Sequence, residues 1–200
     1  MNSASVAQSY VFEYNVSPTN WAFLQMVGGD TLYRTSANDP VNLLKIGTGA
    51  GTQATMLVSN TNARVEMPLE TNGKLTVVNA SLTVTQAAVI NGDLVLKNGH
   101  VDFATGTVIN GDIIIDMDAI DPENLPSISG SFAFGAGCTI RPVGEIVDGK
   151  IIAHITAPVS GSLTFDKSNL PPNFNYKYGV AGDGIVSVHW YDPTTLFIIK

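Results

Sequence analysis

Four carboxylates crowd one stretch of this chain: Asp116, Asp118, Asp121 and Glu123 lie within IDMDAIDPE, with Asp112 just ahead of them. Carboxylates at that density can hold a calcium ion through their oxygens, or divide into the general acid and general base of glycoside cleavage. The run lacks the central glycine and terminal glutamate of an EF-hand loop. It therefore reads first as a solvated loop bulging from the fold, with Asp116, Asp118 and Asp121 as the calcium candidates. The three histidines, His100, His154 and His189, are far apart and sit in strand-like segments, which makes each a structural or surface residue rather than a ligand. Cys138 is the single cysteine, so no intrachain disulfide can form, and it reads as a small core residue. The glycine-rich stretch Gly47 to Gly51 lacks the spacing and the following lysine of a phosphate cradle and reads as a loop. No nucleophile elbow, Walker loop, HExxH or CxxC occurs. The expectation is a protein that is not an enzyme and uses no cofactor.

The elements that must position these residues are set by an internal repeat. NGKLTV from Asn72, NGDLVL from Asn91, NGDIII from Asn110, SGSFAF from Ser129 and DGKIIA from Asp148 start 19 residues apart, and QATMLV from Gln53 keeps the register. Aligned in columns, the second positions are Ala54, Gly73, Gly92, Gly111, Gly130 and Gly149. The fourth positions are Met56, Leu75, Leu94, Ile113, Phe132 and Ile151; the sixth are Val58, Val77, Leu96, Ile115, Phe134 and Ala153. Thr71, Ile90, Ile109, Ile128 and Val147 precede the turns, and Asn60, Asn79 and Asn98 form a further column.

Such columns predict a short parallel β-solenoid of about six 19-residue coils, with alternate side chains facing a shared interior and Gly73, Gly92, Gly111, Gly130 and Gly149 as structural turns at the corners. The stacked asparagines predict a hydrogen-bonded ladder. An antiparallel meander is the competing reading, because Asn-Gly is a strong hairpin signal. A meander has no need of constant turn spacing, which favours the solenoid.

Composition agrees with an all-β class. Charged residues are 14%, and Val, Ile, Gly, Asn and Thr abound. The net charge of −7, with no Lys/Arg cluster, is adverse to nucleic acid. MNSASVAQSYVFEYNV lacks the basic and apolar regions of a secretion signal, and no segment reaches the about 18 apolar residues of a membrane span, so no membrane insertion is expected. Residues 1–52 read as an N-terminal anchoring or capping region, 53–166 as the repeats and 167–200 as a C-terminal β cap. Both end regions are aromatic-rich. Tyr10, Phe12, Tyr14, Trp21, Phe23, Trp190 and Tyr191 are caps over open sheet edges or a partner surface.

The columns, together with LKIGTGAGTQATMLVSNTNARVEMPLETNGKLTV, resemble virus and phage fibre or spike proteins over roughly residues 40 to 115. The tail SGSLTFDKSNLPPNFNYKYGVAGDGIVSVHW looks like the closing segment of autotransporter-type β-helices, although no secretion signal accompanies it. The fibre resemblance implies a non-catalytic virion structural protein: a fibre, spike or capsid-decoration subunit assembled in the host cytoplasm. Its implied partners are further copies in a homotrimer, other capsid or tail proteins, and a cell-surface glycan. Two alternatives remain. One is a bactofilin-like polymer of the bacterial cytoplasm, whose relatives carry disordered rather than aromatic-rich tails; the other is a carbohydrate-binding β-helix.

Overall fold

A computed structural model describes residues 22–27, 30–33, 43–47, 54–156, 158–162, 164–178 and 184–190. Among them the fold is all-β, with one 3-10 turn at Met117–Ala119. Strands β1 (Ala22–Val27), β2 (Asp30–Tyr33) and β3 (Leu44–Ile46) are followed by β4 (Ala54–Ser59), β5 (Asn62–Val65) and β6 (Leu69–Thr71). Next come β7 (Lys74–Val78), β8 (Ser81–Val84) and β9 (Ala88–Ile90). Each strand pairs in parallel with its counterpart one tier away: β4 with β1 and β7, β5 with β2 and β8, β6 with β3 and β9. The chain thus visits three parallel stacks in turn.

The first stack continues through β10 (Leu94–Lys97), β12 (Ile113–Asp116) and β14 (Ile140–Val143). In the next tiers β11 (His100–Ile109) and β13 (Ser127–Phe134) each serve both the second and the third stack, bending where their pairing shifts between Phe103 and Thr107. That bend needs glycine. Gly106 and Gly130 have φ of +90° and +93°, and a Cβ on Gly130 would lie 2.0 Å from the Phe103 carbonyl oxygen.

The register matches the sequence columns and then departs from them. Met56 lies opposite Leu75, Leu75 opposite Leu94, and Leu94 opposite Ile113. Ile113, however, faces Ile140 and not Phe132. Between β12 and β13 the chain inserts the 3-10 turn and the turn around Pro122, so tier-to-tier contacts there join residues 27 apart instead of 19. Phe132 instead faces Thr107, in the third stack. Ile151 opens β15 (Ile151–Ile155) of the second stack and is 41% exposed, so it does not belong to the core column. Ile128 likewise aligns with Val101, and only Thr71, Ile90 and Ile109 of the pre-turn column stack on one another. An additional tier, β1 to β3, lies on the other side, within residues read as an anchoring or capping region.

Strand alternation directs one set of side chains into a single core. Met56, Leu75, Leu94 and Ile113, and beside them Val58, Val77, Leu96 and Ile115, are fully buried. Phe103 packs edge to face on Phe132 of the adjacent tier, with centroids 6.4 Å apart, and Phe132 on Phe134 of its own strand at 5.4 Å. Cys138 is buried among them, and burial, then the charge of Asp112, pushes its thiol pKa up to about 12. Beyond β15 the direction changes. Strand β17 (Ile185–Trp190) pairs antiparallel with β15, and β16 (Phe174–Tyr178) pairs antiparallel with β17.

Candidate functional site

Two amide ladders mark two corners of the stacks. Between the third and first stacks, Asn91 Nδ2 donates to Asn72 Oδ1 and Asn110 Nδ2 donates to Asn91 Oδ1, both at 2.8 Å. Asn72 Nδ2 in turn reaches the Gly47 carbonyl at 3.0 Å and Glu70 Oε1 at 2.9 Å. That bond, aided by Lys45 at 3.1 Å and opposed by burial, holds the Glu70 carboxyl below its ordinary pKa. These asparagines start the repeat motifs.

The glycines that follow them stand at the same corner. Gly73, Gly92 and Gly111 do not adopt a positive φ; instead each lies directly against the tier below. A Cβ would come within 2.0 Å of the Ala54 oxygen at Gly73, 1.6 Å of the Gly73 oxygen at Gly92, and 2.1 Å of the Gly92 oxygen at Gly111. Close stacking excludes a side chain there. Gly149 is the reverse case, with φ +72° and open space around it.

The second corner, between the first and second stacks, carries Asn60, Asn79 and Asn98 in the left-handed conformation, with φ of 51°, 46° and 49°. The expected ladder is present here in part. Asn98 Nδ2 donates to Asn79 Oδ1 at 3.4 Å, while Asn60 Nδ2 donates to Ser59 Oγ at 3.0 Å. Asn98 Oδ1 accepts the Asp121 N–H at 2.9 Å, which ties the inserted loop to the ladder.

An open cleft of about 560 Å³ lies along this corner. Asn60, Asn62, Asn79 and Asn124 line it, with Ser81 and His100 and the buried Thr61 and Ala80 at its floor. Both ring nitrogens of His100 are engaged: Nδ1 with Ser127 Oγ at 3.0 Å and Nε2 with Asn124 Oδ1 at 2.8 Å. The connectivity is that of a nucleophile, base and orienting group. Ser127, however, does not line the cleft, and its own N–H is spent on the Gly99 carbonyl. The arrangement fixes the imidazole at the cleft wall.

No chemical motif in the sequence marks this site. Asn62, Ser81 and His100 stack directly on one another, 19 residues apart like the asparagines two positions earlier, and that shared spacing was the available signal. Asn124 and Ser127 carried none, because Asn124 lies in the insertion and Ser127 follows it.

The acidic stretch is dispersed. Asp116 pairs with Lys97 at 2.9 Å and accepts the Asp118 N–H. Asp118 Oδ1 accepts the Glu145 N–H at 2.6 Å, one tier away, and Asp121 Oδ1 accepts the Glu123 N–H at 2.9 Å. Among the described residues no three His, Cys, Asp or Glu side chains gather in a metal-holding group. These carboxylates hold the inserted loop.

On the outer face of the first stack, Leu57, Thr76, Val95 and Ile114 stand in register. Val95 is buried yet lies outside the core cluster. Of the aromatic residues named from sequence, Phe23 lies in β1 opposite Thr55, and Trp190 ends β17 opposite Phe174. Tyr10, Phe12, Tyr14, Trp21 and Tyr191 fall outside the described residues. Other C-terminal aromatics close the fold: Phe165 stacks on Tyr176 at 5.2 Å, and Tyr178 Oη donates to the Ile155 carbonyl at 2.9 Å.

No family model, curated protein or solved structure matches the chain. Among the described residues no helix is long and apolar enough to cross a membrane.

Proposed function

We propose that the chain is a short parallel β-solenoid acting as a virion structural protein: a fibre, spike or capsid-decoration subunit that assembles side by side with copies of itself. The observation that carries this reading is the reversal at the C-terminal end. Because β17 runs antiparallel onto β15, the second stack ends in a hairpin instead of an edge that another parallel tier extends. A finite subunit fits that end better than a head-to-tail filament, which weighs against the bactofilin-like alternative.

Lateral assembly draws support from the outer stripe of the first stack, where half-buried Leu57 and Ile114 leave apolar surface on either side of buried Val95, on a face flanked by the Lys97–Asp116 and Arg141–Asp112 ion pairs. Three such faces turned inward make a homotrimer. Light scattering and negative-stain imaging of the purified chain test this: a mass of three chains is expected, reduced to that of one chain by Ile114→Glu with an unchanged far-ultraviolet spectrum. Co-purification with capsid or tail components tests the virion assignment. A stable monomer that never accompanies particles overturns the proposal.

A further inference from the structure

We infer that the cleft along Asn60, Asn79 and His100 is a binding site for an uncharged saccharide, an inference that rests on the fibre or spike role proposed above. The chemistry of the lining selects the ligand class. Amides and hydroxyls both donate and accept hydrogen bonds, as sugar hydroxyls do. Among the described residues no Lys, Arg, Asp or Glu lines the cleft, so neither an anion nor a cation finds a counter-charge from them. The net charge of −7 further disfavours anionic ligands.

The polar groups are also held in place before any ligand arrives. The Asn60 amide is held by Ser59 Oγ, that of Asn79 by Asn98 Nδ2, and the His100 ring by hydrogen bonds at both nitrogens. Asn124 is held by the same ring. Pre-ordering of this kind lowers the entropy lost on binding. Parallel tiers repeat the lining at about 4.8 Å intervals, so Asn60 and Asn79 present the same amide twice, with the polar Asn62 and Ser81 in register beside them, to a ligand built of repeating units. The volume of about 560 Å³ falls within the range of small-ligand sites. With the His100 imidazole as the one ring in the lining, hydrogen bonds dominate, and a Kd of ~1 mM per site is expected, strengthened by multivalency in an oligomer.

The test uses the full chain on an array of neutral and anionic oligosaccharides, followed by titration calorimetry with the strongest neutral binder. Asn79→Gly keeps the left-handed backbone and removes one amide; Ser81→Leu fills the cleft. Each is expected to weaken binding by about five- to tenfold, with an unchanged far-ultraviolet spectrum, whereas Glu66→Gln leaves affinity unaltered. Absence of any neutral ligand, binding of anionic sugars alone, or affinities indifferent to both variants overturns the inference. Particle association separates the two claims: a chain that joins particles without binding sugar refutes the site alone, and one that binds sugar without joining particles refutes the virion assignment alone.

Discussion

Replacing Gly92 by alanine probes the stacking directly. The new Cβ would sit 1.6 Å from the Gly73 carbonyl oxygen and 2.5 Å from its carbon, both backbone atoms that cannot swing aside. Ordinary contact begins near 3.4 Å, so the two tiers must part locally by the difference. Against a strand spacing of about 4.8 Å, that displacement is more than a third of the distance the ladder hydrogen bonds span. Overpacking of this kind costs about 3 kcal/mol, offset by up to about 1 kcal/mol from the stiffer unfolded chain. The net loss of about 2 to 3 kcal/mol corresponds to a Tm lowered by about 4 to 12 °C. Gly149→Ala is the control, because its left-handed φ costs about 1 to 2 kcal/mol but its surroundings are open. Differential scanning calorimetry of the two variants compares them. Were Gly149→Ala the more damaging, backbone conformation rather than tier contact would govern these glycines, and the reasoning would be refuted.

Three further outcomes are expected. Thr71 is fully buried with no partner for its Oγ1, and it stacks beneath Ile90 and Ile109, so Thr71→Val should raise Tm by about 2 to 4 °C; a fall would show that the hydroxyl is bonded. Glu70 has a folded pKa below its ordinary 4.5, so its contribution is complete above 4.5 and is lost as pH falls through the lower folded value. Acid titrations of stability should therefore show a shallower loss below pH 4.5 in Asn72→Ala than in the parent, and identical curves would contradict the assignment. Cys138, buried with its thiol pKa near 12, should resist a disulfide reagent at pH 8 until the protein unfolds; prompt labelling of the folded chain would contradict its burial.

Much of the fold was legible because equivalent residues stack on equivalent residues. From Met56 to Ile113 each tier needs 19 residues, and a constant interval writes itself into the sequence as columns. After Asp116 the inserted loop lengthens the tier, yet SGSFAF and DGKIIA keep the old interval while belonging to other stacks. Their apolar alternation satisfies any inward-facing strand, so pattern alone could not tell one stack from another. Glycine was similarly ambiguous. A turn and a close approach both demand it, and Gly92 and Gly149 divide along that line. The polar cleft was less visible, since its tier-repeated positions carry different residue types, as Asn62, Ser81 and His100 do, and Asn124 arrives from the insertion.

Nuclear Overhauser contacts in the isotope-labelled 21.1 kDa chain test the parallel stacking most directly. Backbone contacts should join Leu94 to both Leu75 and Ile113, and Ile113 to Ile140. Antiparallel contacts between Val89 and Leu94 across Asn91 and Gly92, or between Ile113 and Phe132, would contradict it.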